Sequence, residues 1–510
     1  MSTPSTHAID DKPQIDHDEL KQLDTVVDDT EAAGYTDSTL VISPEENRRL
    51  RNKALRRILP LLMLAYLCQA LDKSTIGTAS IMGWIENVNT DTNHYGLTST
   101  LHWVGLIAGE PLCNQLVRYL PLGKLMGVAV ILWSALLMGL AFSLHIKVVF
   151  GLRVVLGFCE AIVGPGLLAL TVQWFTTSEQ PTIGAAWQSM LGGNGIISSL
   201  LGYGFYHLKN KPQGLYGWQW MSITIALFSF ACGFIILIFL PDSPTKARWA
   251  SEEDKVKFVE RVRGNNQSLK QKVFKKEQAW EAAKDPFTYC LFLLAFSQTL
   301  IVGGINVFAG LLLNRAFGFS VLESQLLGIP GACLGIITYY LMAFFIKLTG
   351  ETCLMMCAFA IPNIIGSIVV LIVTPSGHTR GGLLVAWYMM QFFQACNPAI
   401  FAMLSRNSAG QTKRSITYAV TYIGWAGGNA IAPQIFQKRW APRYKTSLKI
   451  HFGLYAWFII VCLSTRTLLA RRNKQRKAAL KDADGTVRND HNLAFSDLTD
   501  LENPEFIYSL

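Results

Sequence analysis

The sequence predicts an all-α polytopic membrane protein with twelve transmembrane helices in two six-helix halves. Twelve long apolar stretches divide six and six around one charged segment, 241–286. The chain of 510 residues is 51% hydrophobic and only 16% charged, where a soluble protein carries about 25% charged residues. The apolar runs also have the length a helix needs to cross a bilayer, about 20 residues. They lack the roughly 10-residue alternation of barrel strands. In lipid every backbone donor and acceptor must be satisfied internally, so helices are the expected spanning element.

Residues 1–50 are acidic and polar, with no apolar core of a cleavable leader, and are predicted to form a disordered cytosolic tail. The first half, 51–240, holds predicted spans at 57–84, 98–117, 123–144, 148–175, 183–206 and 218–240. The segment 241–286 is predicted to be a cytosolic loop. In it Ser251 and three acidic residues precede Lys255, Lys257 and Arg261. That pattern fits a capped, charged helix on the membrane face, or equally a solvated linker. The second half, 287–470, holds spans at 287–313, 326–346, 353–373, 383–404, 415–436 and 450–469. Residues 471–510 read as a second polar, cytosolic tail, first basic and then acidic.

Charge orders these spans. Arg48, Arg49, Arg51, Lys53, Arg56 and Arg57 precede the first span, and positive residues stay on the cytosolic side. Both termini and the basic central loop are therefore expected inside. Lys438, Arg439, Arg443, Lys445 and Lys449 break the rule on the outer side. The net charge of +10 comes from Lys and Arg beside span ends, which gives no reason to expect a nucleic-acid partner. The ten cysteines fall in or at the spans without metal-ligand spacing and read as free thiols. No metal, cofactor or enzymatic constellation is expected, and a monomer in the lipid bilayer is.

Ordered motifs carry a resemblance. Leu71-Asp-Lys-Ser-Thr-Ile-Gly77 lies in the first span, and Arg153-Val-Val-Leu-Gly-Phe-Cys-Glu160 with Gly164-Pro-Gly166 in the fourth. Trp174-Phe175 and Glu179-Gln-Pro181 follow. Gly217-Trp-Gln-Trp-Met221 and Leu240-Pro-Asp-Ser-Pro244 bracket the sixth, and Ser408-Ala-Gly-Gln-Thr-Lys413 and Gly427-Gly-Asn429 mark the eleventh. Together these resemble the anion:cation symporter branch of the major facilitator superfamily, specifically the fungal allantoate permease family. The resemblance implies two halves closing around a midplane substrate site. The sequence departs from the pattern in two turns: Arg118–Lys124 lacks the expected Asp, and Lys347–Glu351 lacks the Asp-Arg pair.

Ionisable groups inside spans are costly and are candidates for function. Six stand out: Asp72, Lys73, His102, Glu110, Arg153 and Glu160. Arg153 and Glu160, seven apart, share a helical face about 10 Å apart along the axis, so both can line one cavity. Adjacent Asp72 and Lys73 point in different directions. An anion symporter needs a fixed cation for the carboxylate, best an Arg fork, and an acid that exchanges protons. The resemblance implies that Asp72 and Glu160 carry protons and that Arg153 holds the substrate, with Lys73 where the branch often has Arg.

Alternatives stand beside these roles. Arg153 could snorkel to headgroups, Asp72 could be an ion-pair partner of Arg153 or Lys73, and His102 is either a packing residue or a proton relay. Glu110 reads as structural. Asn306, Gln394 and Asn397 either face the cavity or join helices. The leading expectation is proton-coupled uptake of a small organic anion across the plasma membrane: a ureido acid such as allantoate, a vitamin carboxylate or a small peptide. A transporter of an acidic specialised metabolite, and a non-transporting nutrient sensor, are the alternatives.

Overall fold

The computed structural model describes residues 42–176, 179–208, 214–263, 275–482, 498–503 and 506–510. Residues 1–41 of the predicted tail lie outside the described residues. Residues 44–50 do not continue that tail. They begin helix α1, Pro44–Arg57, whose first turn is capped where the Ser43 hydroxyl accepts the Glu46 N–H at 3.2 Å.

Among the described residues, helices make twelve passes. Pass one is α2 (Leu59–Ala79), prolonged by a wider turn at Ser80–Trp84; α3 (Thr92–Tyr119) and α4 (Leu122–Phe142) follow. Pass four is broken into α5 (Ile146–Glu160) and α6 (Val163–Trp174), and pass five into α7 (Gln180–Gln188) and α8 (Met190–Tyr206). Pass six is α9, Gly217–Phe239. Two loop helices, α10 (Glu252–Arg263) and α11 (Lys276–Lys284), precede pass seven, α12 (Pro286–Leu311). Pass eight is α13 (Val321–Leu326) with α14 (Gly328–Thr349), and pass nine is α15 (Thr352–Ile372). Pass ten is split into α16 (Arg380–Met389) and α17 (Cys396–Asn407). Passes eleven and twelve are α18 (Gln411–Ile431) and α19 (Lys445–Asp482).

Seven passes are long and apolar enough to cross a membrane by length and composition. The other five are passes two, four, five, ten and eleven, which are broken or carry polar residues. Prolines explain two of the breaks. Pro165 and Pro398 lack an N–H, and each ring crowds the carbonyl four residues earlier. Those carbonyls belong to Ala161 and Gln394, and the helix opens at both places. Passes three, six, nine and twelve carry bulky apolar side chains outward, including Leu132, Phe234, Ile365 and Ile460.

Glycines set the closest helix approaches. A Cβ at Gly157 would fall 1.9 Å from the His102 carbonyl oxygen, and one at Gly105 would fall 2.0 Å from that of Val154. Helices α3 and α5 therefore touch backbone to backbone. A Cβ at Gly428 would fall 2.1 Å from Thr299 Oγ1, so α18 and α12 meet as closely in the second half.

The central segment is helical rather than a bare linker, and its two helices attach to different halves. Asp254 of α10 pairs with Arg49 and, at 2.6 Å, with Lys53; Arg261 holds Glu179 at 2.6 Å. Glu281 of α11 meets Lys413 of α18 at 2.9 Å. The expectation of a polar tail beyond Arg471 is corrected: α19 continues to Asp482, and residues 498–503 and 506–510 return to the bundle. Asp500 pairs with Lys413 at 2.7 Å, while the Ser509 backbone and Asn407 side chain exchange two hydrogen bonds. The segment docks by charge, by hydrogen bonds and by Phe506, Tyr508 and Leu510 packed on the core. All ten cysteines are free thiols.

Candidate functional site

A cavity of about 500 Å³ lies between the halves, walled by passes one, two, four and five on one side and seven, eight, ten and eleven on the other. Helix α2 brings Lys73 to its wall, α3 brings His102 and Trp103, and α5 brings Arg153. Asn306 of α12 and Asn397 of α17 face them from the second half. Adjacent Asp72 points the other way and is fully buried.

One expectation needs correction. Glu160 does not line the cavity. It is fully buried one layer behind the wall, where its Oε2 lies 3.7 Å from Lys73 Nζ and 3.6 Å from His102 Nε2. The cause is local: α5 ends at Glu160, and the Gln69 side chain of α2 donates to the Glu160 carbonyl at 3.3 Å. This turns the carboxylate toward pass one, within electrostatic reach of Asp72 and Lys73.

Arg153 is 4% exposed, so it does not snorkel to headgroups. It lies within electrostatic reach of Asp72, Glu160 and Tyr95. Asp72 forms no direct ion pair, and neither of its oxygens nor those of Glu160 accepts a hydrogen bond among the described residues. Both ring nitrogens of His102 also lack a hydrogen-bond partner among the described residues. Lys73 sits over the Trp103 ring at 5.2 Å, and Trp103 meets Trp425 edge-on at 4.9 Å. Two cations, two carboxylates and an imidazole thus share one buried space with few mutual hydrogen bonds. Such a cluster is costly to bury, and ionisable groups within spans mark function.

Glu110 stands apart from this group. It is partly buried on α3, with Asn114 at 3.5 Å.

The sequence pattern marked Asn429 only as part of a motif and did not single out Gln298 or Gln391; all three line the second-half wall. It also passed over the glycine contacts that hold α3 against α5. Gly105 and Gly109 have the small-x-x-x-small spacing of close helix pairs, a signal that was available.

Among the described residues, the hydrogen bonds and ion pairs joining the two bundles lie toward the face opposite the central loop. The Tyr95 hydroxyl donates to the Val307 carbonyl at 2.7 Å, Thr100 to that of Ala430 at 2.6 Å, and Glu86 pairs with Arg315. The Lys438 backbone N–H donates to Asn93 at 2.7 Å, and its ammonium lies 3.9 Å from Asp91. Arg443 donates to the Val373 carbonyl. These contacts give three basic or backbone groups of that anomalous loop a local task.

The Major Facilitator Superfamily profile matches residues 62–433. The chain is 31% identical over 477 residues to an uncharacterized transporter of Schizosaccharomyces pombe, covering 92% of this chain and 91% of that one. It is 29% identical over 480 residues to the allantoate permease of Saccharomyces cerevisiae, covering 92% and 88%. Its fold is that of a bacterial homolog of the human lysosomal transporter Spinster, solved inward-facing and unoccupied. That match has a TM-score of 0.63 at 14% identity and covers 82% of this chain and 98% of that one. With the profile spanning both halves and the relatives matching nearly end to end, this chain is a membrane transporter and belongs to the major facilitator superfamily.

Proposed function

We propose that the protein is a proton-coupled symporter of a small organic monoanion. The observation that carries this reading is the cluster of half-buried Lys73 with buried Arg153, Asp72 and Glu160 at the cavity. With both carboxylates ionised and His102 neutral, its two positive and two negative charges cancel. One proton on Asp72 or Glu160 leaves a net positive site, which a monoanion neutralises. A buried net charge costs several kcal/mol, so each ligand favours the other and the two travel together. Arg153 holds the anion with its planar fork, Lys73 assists as a point charge, and His102 stands between cavity and carboxylate. Asn306 and Asn397 contact the solute from the second half.

Ureido acids such as allantoate, vitamin carboxylates and small peptides are the candidate solutes, and the allantoate permease relative supports the first of these. We place the protein in the plasma membrane as a monomer, with both termini and the central loop cytosolic, on the Lys/Arg bias at the first span.

Reconstitution in liposomes tests the mechanism. A panel of labelled monoanions is offered with the side of entry more acidic by one pH unit. At one proton per anion, that gradient sustains accumulation of up to about tenfold, and a protonophore abolishes it. Anion entry that ignores the gradient would refute proton coupling, and no entry of any monoanion would refute the transport reading.

A further inference from the structure

The cavity is electrically one-sided. Lys73, His102 and Arg153 all come from the first half, while among the described residues the second half contributes no charged side chain to the wall. It contributes seven amides instead: Gln298, Asn306, Gln325, Gln391, Gln394, Asn397 and Asn429, of which Gln325 reaches across to the Thr78 carbonyl of the first half at 3.5 Å. Three of these satisfy one another, because the Gln394 amide N–H group donates to Asn306 at 3.3 Å and to Gln391.

Gln298 and Asn429 behave differently, and in the same sense as each other. Gln298 Nε2 donates to the Phe393 backbone carbonyl at 3.4 Å, and Asn429 Nδ2 donates to that of Trp425 at 2.9 Å. A carbonyl oxygen only accepts, so each amide is pinned with its nitrogen against the backbone and its oxygen released. Gln298 is 1% exposed, and its Oε1 has no hydrogen-bond partner among the described residues. Gly303, also on the wall, lies beside Asn429: a Cβ there would approach Asn429 Oδ1 to 2.7 Å. The glycine keeps room around that oxygen.

We propose that the amide oxygens of Gln298 and Asn429 form an acceptor subsite that reads N–H donors on the uncharged end of the transported anion. The proposal rests on the transport reading above and adds a selectivity rule to it. With the carboxylate at Arg153, the far end of the solute meets acceptors whose donors are already used. A ureido, carboxamide or ring N–H group completes them. An alkyl end leaves them unpaired, and a second carboxylate is repelled. Sites built to hydrogen-bond a polar group reject analogues that lack it far more strongly than apolar pockets reject a missing methyl.

The test is calorimetric titration of the purified full chain in detergent with two monoanions of matched shape, 3-ureidopropionate and 5-methylhexanoate. The dianion glutarate serves as a third probe. Wild type should bind the ureido acid roughly 10- to 100-fold tighter than the alkyl acid, with glutarate weakest. Gln298→Met keeps the side-chain length and removes the acceptor, so it should erase most of that preference, weakening the ureido acid while 5-methylhexanoate binds at least as tightly as to wild type. Asn429→Leu makes the same test if Gln298→Met is not monodisperse. A wild type that favours the alkyl acid, or variants that keep the full preference, would overturn the subsite. Arg153→Ala separates the two ideas. If it abolishes binding of both acids while Gln298→Met leaves the preference intact, the anion site stands and the subsite falls. If neither acid binds wild type, both fall.

Discussion

At Arg153 a guanidinium is buried beside two carboxylates with its Nε unpaired, so it keeps donors for a ligand. Arg153→Ala should therefore abolish transport, since losing a buried charge-assisted contact costs roughly 2–5 kcal/mol of binding. Arg153→Lys keeps the charge but loses the fork and should restore little. Wild-type rate and affinity in the Ala variant would remove Arg153 from the substrate site. Glu160→Gln mimics the protonated acid. It should still bind and exchange substrate between preloaded vesicles, yet lose accumulation driven by a pH gradient. Asp72→Asn should share that defect if the two acids act together, as their proximity suggests. A Glu160→Gln protein that still concentrates substrate in a proton-dependent way would move the role to Asp72 or His102.

Helix pairs set the position of every group just named. The His102 carbonyl lies where a side chain at Gly157 would have to go, so α3 and α5 hold the imidazole and Glu160 in register only while that residue is glycine. Gly157→Leu should separate the two helices and abolish transport. It should also lower the unfolding midpoint, because overpacking typically costs about 1–3 kcal/mol. Unchanged transport and thermal stability would show that the seam tolerates a gap.

The cytosol-assigned end of the second half makes a separate prediction. Burial opposes ionisation of Asp285, but the hydrogen bond from Arg472 and the charges of Lys413 and Arg472 outweigh it and hold the carboxyl below its usual range. A depressed carboxyl stabilises the fold above its unfolded pKa, about 3.9, and that stabilisation is lost as pH falls through the lower folded value. Arg472→Ala should lower the melting temperature at pH 7, and the gap to wild type should narrow only below about pH 4. A gap that closes between pH 5 and 7 would assign a different group. The cluster thus stays paired across the pH range of the uptake assay and does not contribute to its pH dependence.

For the whole molecule, the two bundles are joined at the face opposite the central loop and separated by the cavity beneath. The Glu86–Arg315 pair across that face is 56% and 41% exposed, and such surface pairs contribute about 0–1 kcal/mol. Breaking it alone should shift the balance of conformations by less than about tenfold. Locking it is the sharper experiment. With Glu86→Cys and Arg315→Cys joined by a reducible bifunctional thiol reagent, transport should stop, and reduction should restore it. Undiminished transport in the cross-linked protein would mean that this face need not open.

The sequence by itself determined the membrane class, the twelve passes and the family. Those follow from run lengths and ordered motifs, which local chemistry writes into consecutive residues. It also pointed to Asp72, Lys73, Arg153 and Glu160, because a charge within an apolar run is conspicuous wherever it points. Only the tertiary structure decided that Lys73 faces the cavity while Asp72 does not, and that Glu160 sits behind the wall. Direction depends on where neighbouring helices touch, and here glycines and a proline break control those contacts. The cavity-facing role of Gln298 and Asn429 stayed hidden for the same reason. An amide in a span reads alike whether it binds a neighbouring helix or a solute, and only its partners in space separate the two. The C-terminal segment was misread because its docking residues, Phe506, Tyr508 and Leu510 with charged Asp500, are too few and too scattered to leave a periodic pattern in the chain.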